Sequence, residues 1–93
     1  MFIGVGRLDL RIPASGSLKS KRHVVKALTG GLRAKFNVAV AEVEHQDLWQ
    51  RARLAVVSVN TDHAHLDATL SNATSEAANA REIMVLDSHM ETL

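Results

Sequence analysis

Five cations crowd one short segment of this chain: Lys19, Lys21, Arg22, Lys26 and Arg33. On a helix, at about 100° per residue, Lys19, Arg22, Lys26 and Arg33 fall within about 60° of one another. None of them has an acidic partner three or four residues away, because no acid occurs between Leu10 and Ala41. Lys19, Lys21 and Arg22 also lie in or near the first turn. The helix macrodipole is positive there, and each cation is disfavoured by about 0.3–1 kcal/mol. A phosphate, from RNA or from a nucleotide, would relieve both terms, so the chemistry this pattern suits is anion binding. The competing reading is a solvated face, or one neutralised by Glu42, Glu44 or Asp47.

The remaining reactive types form no catalytic constellation. Glu42 and Glu44 are two apart, which places them on one strand face about 7 Å from each other. That spacing suits paired-carboxylate chemistry, but cross-strand pairing with Arg51 or Arg53 is the simpler expectation. Among five histidines, His63 and Asp67 have a spacing that permits a shared ion, and His45 and Asp47 lie together at a strand end; no group of three ligands is visible, and no metal or cofactor is expected. Gly4-Val5-Gly6 lacks the third glycine of a dinucleotide loop and lies inside an alternating segment. No Ser or Thr has an evident base. Trp49, in the polar stretch Glu44–Ala52, is the one tryptophan. A lone Trp there caps a core edge, anchors a dimer or meets a partner.

Composition bounds these readings. The chain has 93 residues, 46% hydrophobic and 23% charged, with no cysteine and one proline. It fits a single domain, 1–93, with a thin core. Disulfides and thiolate sites are excluded. No apolar run approaches the roughly 20 residues of a membrane span, and the alternating, charged start does not resemble a signal peptide, so a cytoplasmic location is expected. The net charge of +1 hides an asymmetry. Residues 1–35 hold eight Lys/Arg against Asp9 alone, a balance of +7; residues 36–93 balance to −6. Base stacking is a poor prospect with Phe2, Phe36 and Trp49 as the only aromatics.

Elements must position these residues. Met1–Ile12 alternates, with Phe2, Leu8, Leu10 and Ile12 on one face together with Gly4 and Gly6, where glycine lets another element approach closely. Ser17 is placed to cap a helix over Leu18–Lys35, whose apolar sector holds Leu18, Val24, Val25, Leu28, Leu32 and Phe36. Gly30-Gly31 either permits close packing or bends it. Strands are expected over Asn37–His45 and Arg51–Asn60. A second helix follows, capped by Asn60, Thr61 or Asp62 and ending near Ala80, with the narrow stripe Leu66, Leu70, Ala73, Ala77 and Ala80. A last strand covers Glu82–Leu93. The order β-α-β-β-α-β describes an α+β ferredoxin-like plait, a four-stranded antiparallel sheet with two helices on one face. Several strands are apolar on both faces near one end: Phe2 with Ile3, Ala39 with Val40, Val56 with Val57, Val85 with Leu86. An open apolar face predicts a partner, most simply a second copy.

Particular stretches also resemble a family. They are Met1–Val5 leading to Leu8–Pro13, Ser17–Arg22 with Val24-Val25, Phe36–Val43, and above all His45-Gln46-Asp47-Leu48-Trp49-Gln50-Arg51-Ala52. Together they resemble the YlxP-like family of small bacterial proteins, a domain of unknown function, from Met1 to about Val59. The resemblance implies a ferredoxin-like fold and a gene neighbourhood of translation-initiation and ribosome-maturation factors; it supplies no catalytic residues. The resulting expectation is a non-enzymatic translation or ribosome-maturation factor. It would contact RNA phosphates through Lys19, Lys21, Arg22, Lys26 and Arg33, with Arg7, Arg11 and Lys35 nearby. The alternative is a homodimeric interaction module with Trp49 near the contact and no affinity for nucleic acid.

Overall fold

The computed structural model describes residues 1–93. Six elements follow in the order β1 (Phe2–Arg11), α1 (Leu18–Lys35), β2 (Ala39–Glu44), β3 (Arg51–Asn60), α2 (His63–Ala78) and β4 (Met84–Thr92). The sheet is antiparallel throughout, with strand order β2-β3-β1-β4. The two β-α-β halves interlock, so β1 and β3 are central and the second strand of each half lies at an edge. This is the ferredoxin-like plait the alternation predicts.

Both helices cover one face. From β1 come Leu8 and Leu10, with Ile12 just beyond it; from β3 come Ala52, Leu54 and Val56; the helices add Val25, Leu28 and Leu32 above α1's side and Leu70, Ala73 and Ala77 above α2's. The small stripe of α2 lets that helix settle directly over β1 and β3. Gly4 makes this possible at one point: a Cβ there would stand 2.6 Å from Leu70 Cδ1 and 3.2 Å from both Leu66 methyls. Gly6 is not such a place, since its nearest neighbours would lie at 3.8 Å or more. Gly30 and Gly31 face open space, so they serve no close packing, and α1 runs unbroken past them.

Two helix caps match the sequence. Ser17 is extended and its Oγ accepts the amide of Ser20 at 3.0 Å, starting α1. Of the three candidates for α2, Asp62 is the cap: its carboxylate accepts the amides of Ala64 and His65.

Three irregularities depart from simple alternation. A bulge between Glu42 and Glu44 shifts the β2–β3 register, placing Glu42 opposite Leu54 and Glu44 opposite Arg53. The two carboxylates therefore lie on opposite faces, and the expected paired-carboxylate face does not exist. His45 follows with φ 67°, the only left-handed non-glycine residue. A second bulge interrupts β4 between its pairings with Asp9 and Leu10, and β4 continues to Thr92.

Candidate anion-binding surface

The six cations of α1 divide into two kinds. Lys21 has no solvent exposure. Its Nζ lies 2.7 Å from Glu42 Oε2 and donates to the backbone carbonyl of His45. Glu42 shares the helix-facing side of β2 with Val40, the bulge turning only Glu44 to the open face, and the left-handed turn at His45 accompanies that carbonyl's approach. The same carbonyl accepts the amide of Leu48, closing the turn. Lys21 is thus a staple between the first turn of α1 and the end of β2, and the expectation that it meets an outside phosphate is corrected. Its burial follows from the helical wheel, where it falls between Leu28 and Val25, inside the apolar sector.

Arg33 is exposed along its length but its tip is occupied. Nη2 donates to the carbonyl of Val40 at 2.6 Å, on edge strand β2. The Gln46 amide donates to the carbonyl of Glu42 on the same strand. Side chains thereby cover carbonyls of a strand that has no neighbour on its outer side. Lys35 pairs with Glu76 and ties α1 to α2.

Lys19, Arg22 and Lys26 remain. All three are exposed, and none makes a side-chain hydrogen bond or ion pair. Their spacing of three and then four residues keeps them on one helix face. Of the acids that might have neutralised them, Glu42 is engaged by Lys21 and Glu44 by Arg53, and Asp47 is exposed and makes no ion pair with them. What survives internal pairing is a ridge of a single sign.

The other face of the sheet carries no helix, and there Arg7 and Arg11 are found, not beside the α1 cations. That face is divided. Toward the start of β1 it is apolar: Ile3 stands opposite Val59, Val5 opposite Val57, and Ala39 and Ala41 extend the patch onto β2. Val57 and Val59 are 37% and 46% exposed. Val85 and Leu86 lie at the opposite end of the sheet, so they do not join this patch.

Toward the end of β1 the open face is charged and largely self-paired. Arg53 clasps Asp9 with two hydrogen bonds, Nε to Oδ1 at 3.0 Å and Nη2 to Oδ2 at 2.9 Å, and gives Nη1 to Glu44 at 2.8 Å. The Arg53 hydrogen bonds hold the Asp9 carboxyl below the usual carboxylate value, and Asp9 in turn raises the Arg53 guanidinium. Arg51 is 3.8 Å from Asp9. Arg7, Asp9, Arg53, Asp87 and His89 line a polar cleft of about 80 Å³.

Trp49 is 54% exposed in the turn between β2 and β3. Gln50 anchors that turn: its side chain donates to the carbonyls of Pro13 and Ser15, and its own carbonyl accepts the Ile12 amide. Trp49 therefore stands at the charged end of the sheet, away from the apolar patch. His63 does lie against Asp67, Nδ1 to Oδ2 at 3.4 Å, but its other nitrogen meets Thr92 Oγ1 at 3.1 Å and Phe2 packs edge-on against its ring. No group of three potential ligands converges around it. A groove of about 680 Å³ separates α1 from the α2–β4 connection, with Leu28, Leu32 and Ile83 among its lining residues and Glu76, Arg81 and Glu82 among the polar ones. No helix is long and apolar enough to cross a membrane.

The family model described as "Protein of unknown function (DUF503)" matches residues 3–90. The chain belongs to this family. The match extends past Val59, where the sequence resemblance alone stops, through α2 and most of β4. The uncharacterized protein YlxP of Bacillus subtilis (strain 168) is 34% identical over 69 residues, covering 74% of this chain and 75% of that protein. Among solved structures, the de novo designed protein Foldit4 superposes with a TM-score of 0.54 at 9% identity, covering 100% of this chain and 97% of the design. LarC2, the C-terminal domain of a cyclometallase, superposes with a TM-score of 0.50 at 9% identity, covering 100% of this chain and 55% of that one. These likenesses concern the fold alone.

Proposed function

We propose that this protein is a non-enzymatic accessory factor of translation or ribosome maturation that holds RNA phosphates on Lys19, Arg22 and Lys26. The observation that supports this reading is the ridge itself: three exposed cations of one helix face keep no internal partner, while Lys21, Arg33 and Lys35 all have one. The translation setting comes from the gene neighbourhood that the family resemblance implies. The recognition is one of charge and shape, because the ridge offers no donors arranged for base edges. Lys21, which is buried, and Arg33, whose tip is held by the Val40 carbonyl, have no part in it. Self-association, the other expectation, belongs to the opposite layer of the molecule.

The test is binding of ribosomal subunits and of structured RNA across a salt series. Three phosphate contacts give a log–log slope of affinity against salt of about −2 to −3. Changing Lys19, Arg22 and Lys26 together to Glu is expected to abolish measurable binding and leave the circular dichroism spectrum unchanged. Absence of binding by the unaltered protein at 50 mM salt, or undiminished binding by the triple variant, sinks the reading.

A further inference from the structure

We infer that the helix-free face of the sheet is a self-association surface on which two copies of this chain stack, with Val5 and Val57 at the middle of its apolar end. The inference is independent of RNA binding, which uses the other layer.

Size decides what kind of partner fits. A strand residue occupies about 32 Å² of one sheet face, from a strand spacing of about 4.8 Å and a two-residue repeat of about 6.7 Å. The apolar patch of Ile3, Val5, Ala55, Val57, Val59 and their β2 neighbours then covers only about 220 Å² per copy. Two such patches fall well short of the roughly 1,000 Å² that a specific interface must clear. Strands of 10, 6, 10 and 9 residues, each turning every other side chain outward, present a whole face of about 550 Å². Two whole faces reach about 1,100 Å². The partner must therefore be flat and must cover the sheet from edge to edge. A second copy offers a sheet of the same dimensions and the same twist, which is how stacked sheets pack.

Charge selects the same occupant. Beside and beyond the patch the open face carries Arg7, Arg11, Arg51 and Arg53, and against them Asp9, Glu44, Asp87 and Glu91. The signs balance. A phosphate polymer gains little from a balanced face, while two copies meet across it without net repulsion. The contact is isologous, since the same patch serves both partners. With most of the area polar and only one end apolar, the dimer is a weak one, with a dissociation constant on the order of micromolar to tens of micromolar.

The experiment is sedimentation velocity on the full chain from about 5 to 500 µM. The expected result is a concentration-dependent rise from monomer to dimer that changes little between low and high salt. Val57→Lys places a charge at an exposed position in the centre of the patch; it is expected to leave a monomer at every concentration, with an unchanged circular dichroism spectrum. Val59→Glu, nearer the rim, weakens association about tenfold and covers the case in which Val57→Lys misfolds. The Lys19, Arg22 and Lys26 triple variant keeps the dimer even where it loses RNA. A monomer at 500 µM in the unaltered protein overturns the inference, as does a dimer that survives in a folded Val57→Lys or Val59→Glu variant at full strength.

Discussion

Two charged regions of this molecule start from similar side chains and end in opposite states. On α1, cations of one sign gather with no acid in the helix, and three of them stay unpaired. On the open sheet face, arginines stand among carboxylates, and Arg53 alone makes three hydrogen bonds to Asp9 and Glu44. The difference lies in the periods of the two elements. A helix brings residues three and four apart together, and nothing acidic is available within its own segment. A strand brings residues from distant parts of the chain into register, so the acidic second half supplies partners to the basic first half. The pairs α1 does make, Lys21 with Glu42 and Lys35 with Glu76, are likewise long-range, so charge per segment is a poor guide to charge per surface.

The largest expected effect separates two lysines of the same helix. Lys21→Met leaves Glu42 partly buried with no counterion and removes the tie to the His45 carbonyl. Breaking a buried pair from one side costs about 3–5 kcal/mol, and the low end applies here because Glu42 keeps 19% exposure. For a domain of this size that lowers the melting temperature by more than about 10 °C. Lys26→Met, in contrast, is expected to change stability by less than about 0.5 kcal/mol while weakening any phosphate contact. The double change Lys21→Met with Glu42→Leu recovers most of the loss, because two apolar groups need no partners. Urea melts of the four proteins measure this. Equal effects for Lys21→Met and Lys26→Met would erase the distinction between staple and ridge.

A smaller effect tests the paired region by pH. The folded-state carboxyl of Asp9 titrates below its ordinary value of 3.8, chiefly through the Arg53 hydrogen bonds. A depressed carboxylate stabilises the fold at every pH above its unfolded value, and that contribution disappears as pH falls through the folded value. Asp9→Asn is therefore expected to lower stability by about 1–2 kcal/mol at pH 7. The gap between the two proteins stays constant down to about pH 4 and closes below it. Chemical denaturation at pH 7, 5, 4, 3 and 2.5 follows the gap. A gap that persists unchanged at pH 2.5 would show that Asp9 acts through packing, not through its charge.

Much of the architecture was legible because it rests on local periods. The alternation of β1, the apolar sector of α1 and the Ala-rich stripe of α2 each specify one buried face, and Ser17 and Asp62 mark helix starts by chemistry that needs only a few neighbouring residues. The close approach was readable only in part: Gly4 and Gly6 share the core face, and a helix side chain crowds Gly4 alone. The site was less legible because its composition depends on irregularities. The bulge in β2 breaks the period that put Glu42 and Glu44 on one face, and no residue in that stretch announces it. The Asp9–Arg53 clasp joins residues 44 apart and follows from register, which alternation does not set. Lys21 is a different kind of miss. Its wheel angle lies among the core residues, and its charge is what disguises a buried position.

The smallest effect tests how an anion would lie on the ridge. Gly30 falls on the wheel close to Lys19 and Lys26, and a Cβ added there meets nothing within 4 Å. No glycine in the chain has a positive φ, so alanine fits the backbone without strain. Gly30→Ala is expected to stabilise the fold by about 0.5–1 kcal/mol, through a better helix former and a less free unfolded chain. Binding is the more informative reading. If the three cations reach a phosphate chain at the full length of their side chains, a methyl group at Gly30 leaves affinity and salt slope unchanged while the melting temperature rises a few degrees. If instead the phosphate chain lies against the bare helix backbone at that glycine, the methyl group intrudes and affinity falls although the protein is more stable. We expect the first result. Lys19 and Lys26 stand about two turns apart, so their extended stems hold a ligand above the helix surface. A fall in affinity at unchanged salt slope would place the backbone of α1 itself in the contact.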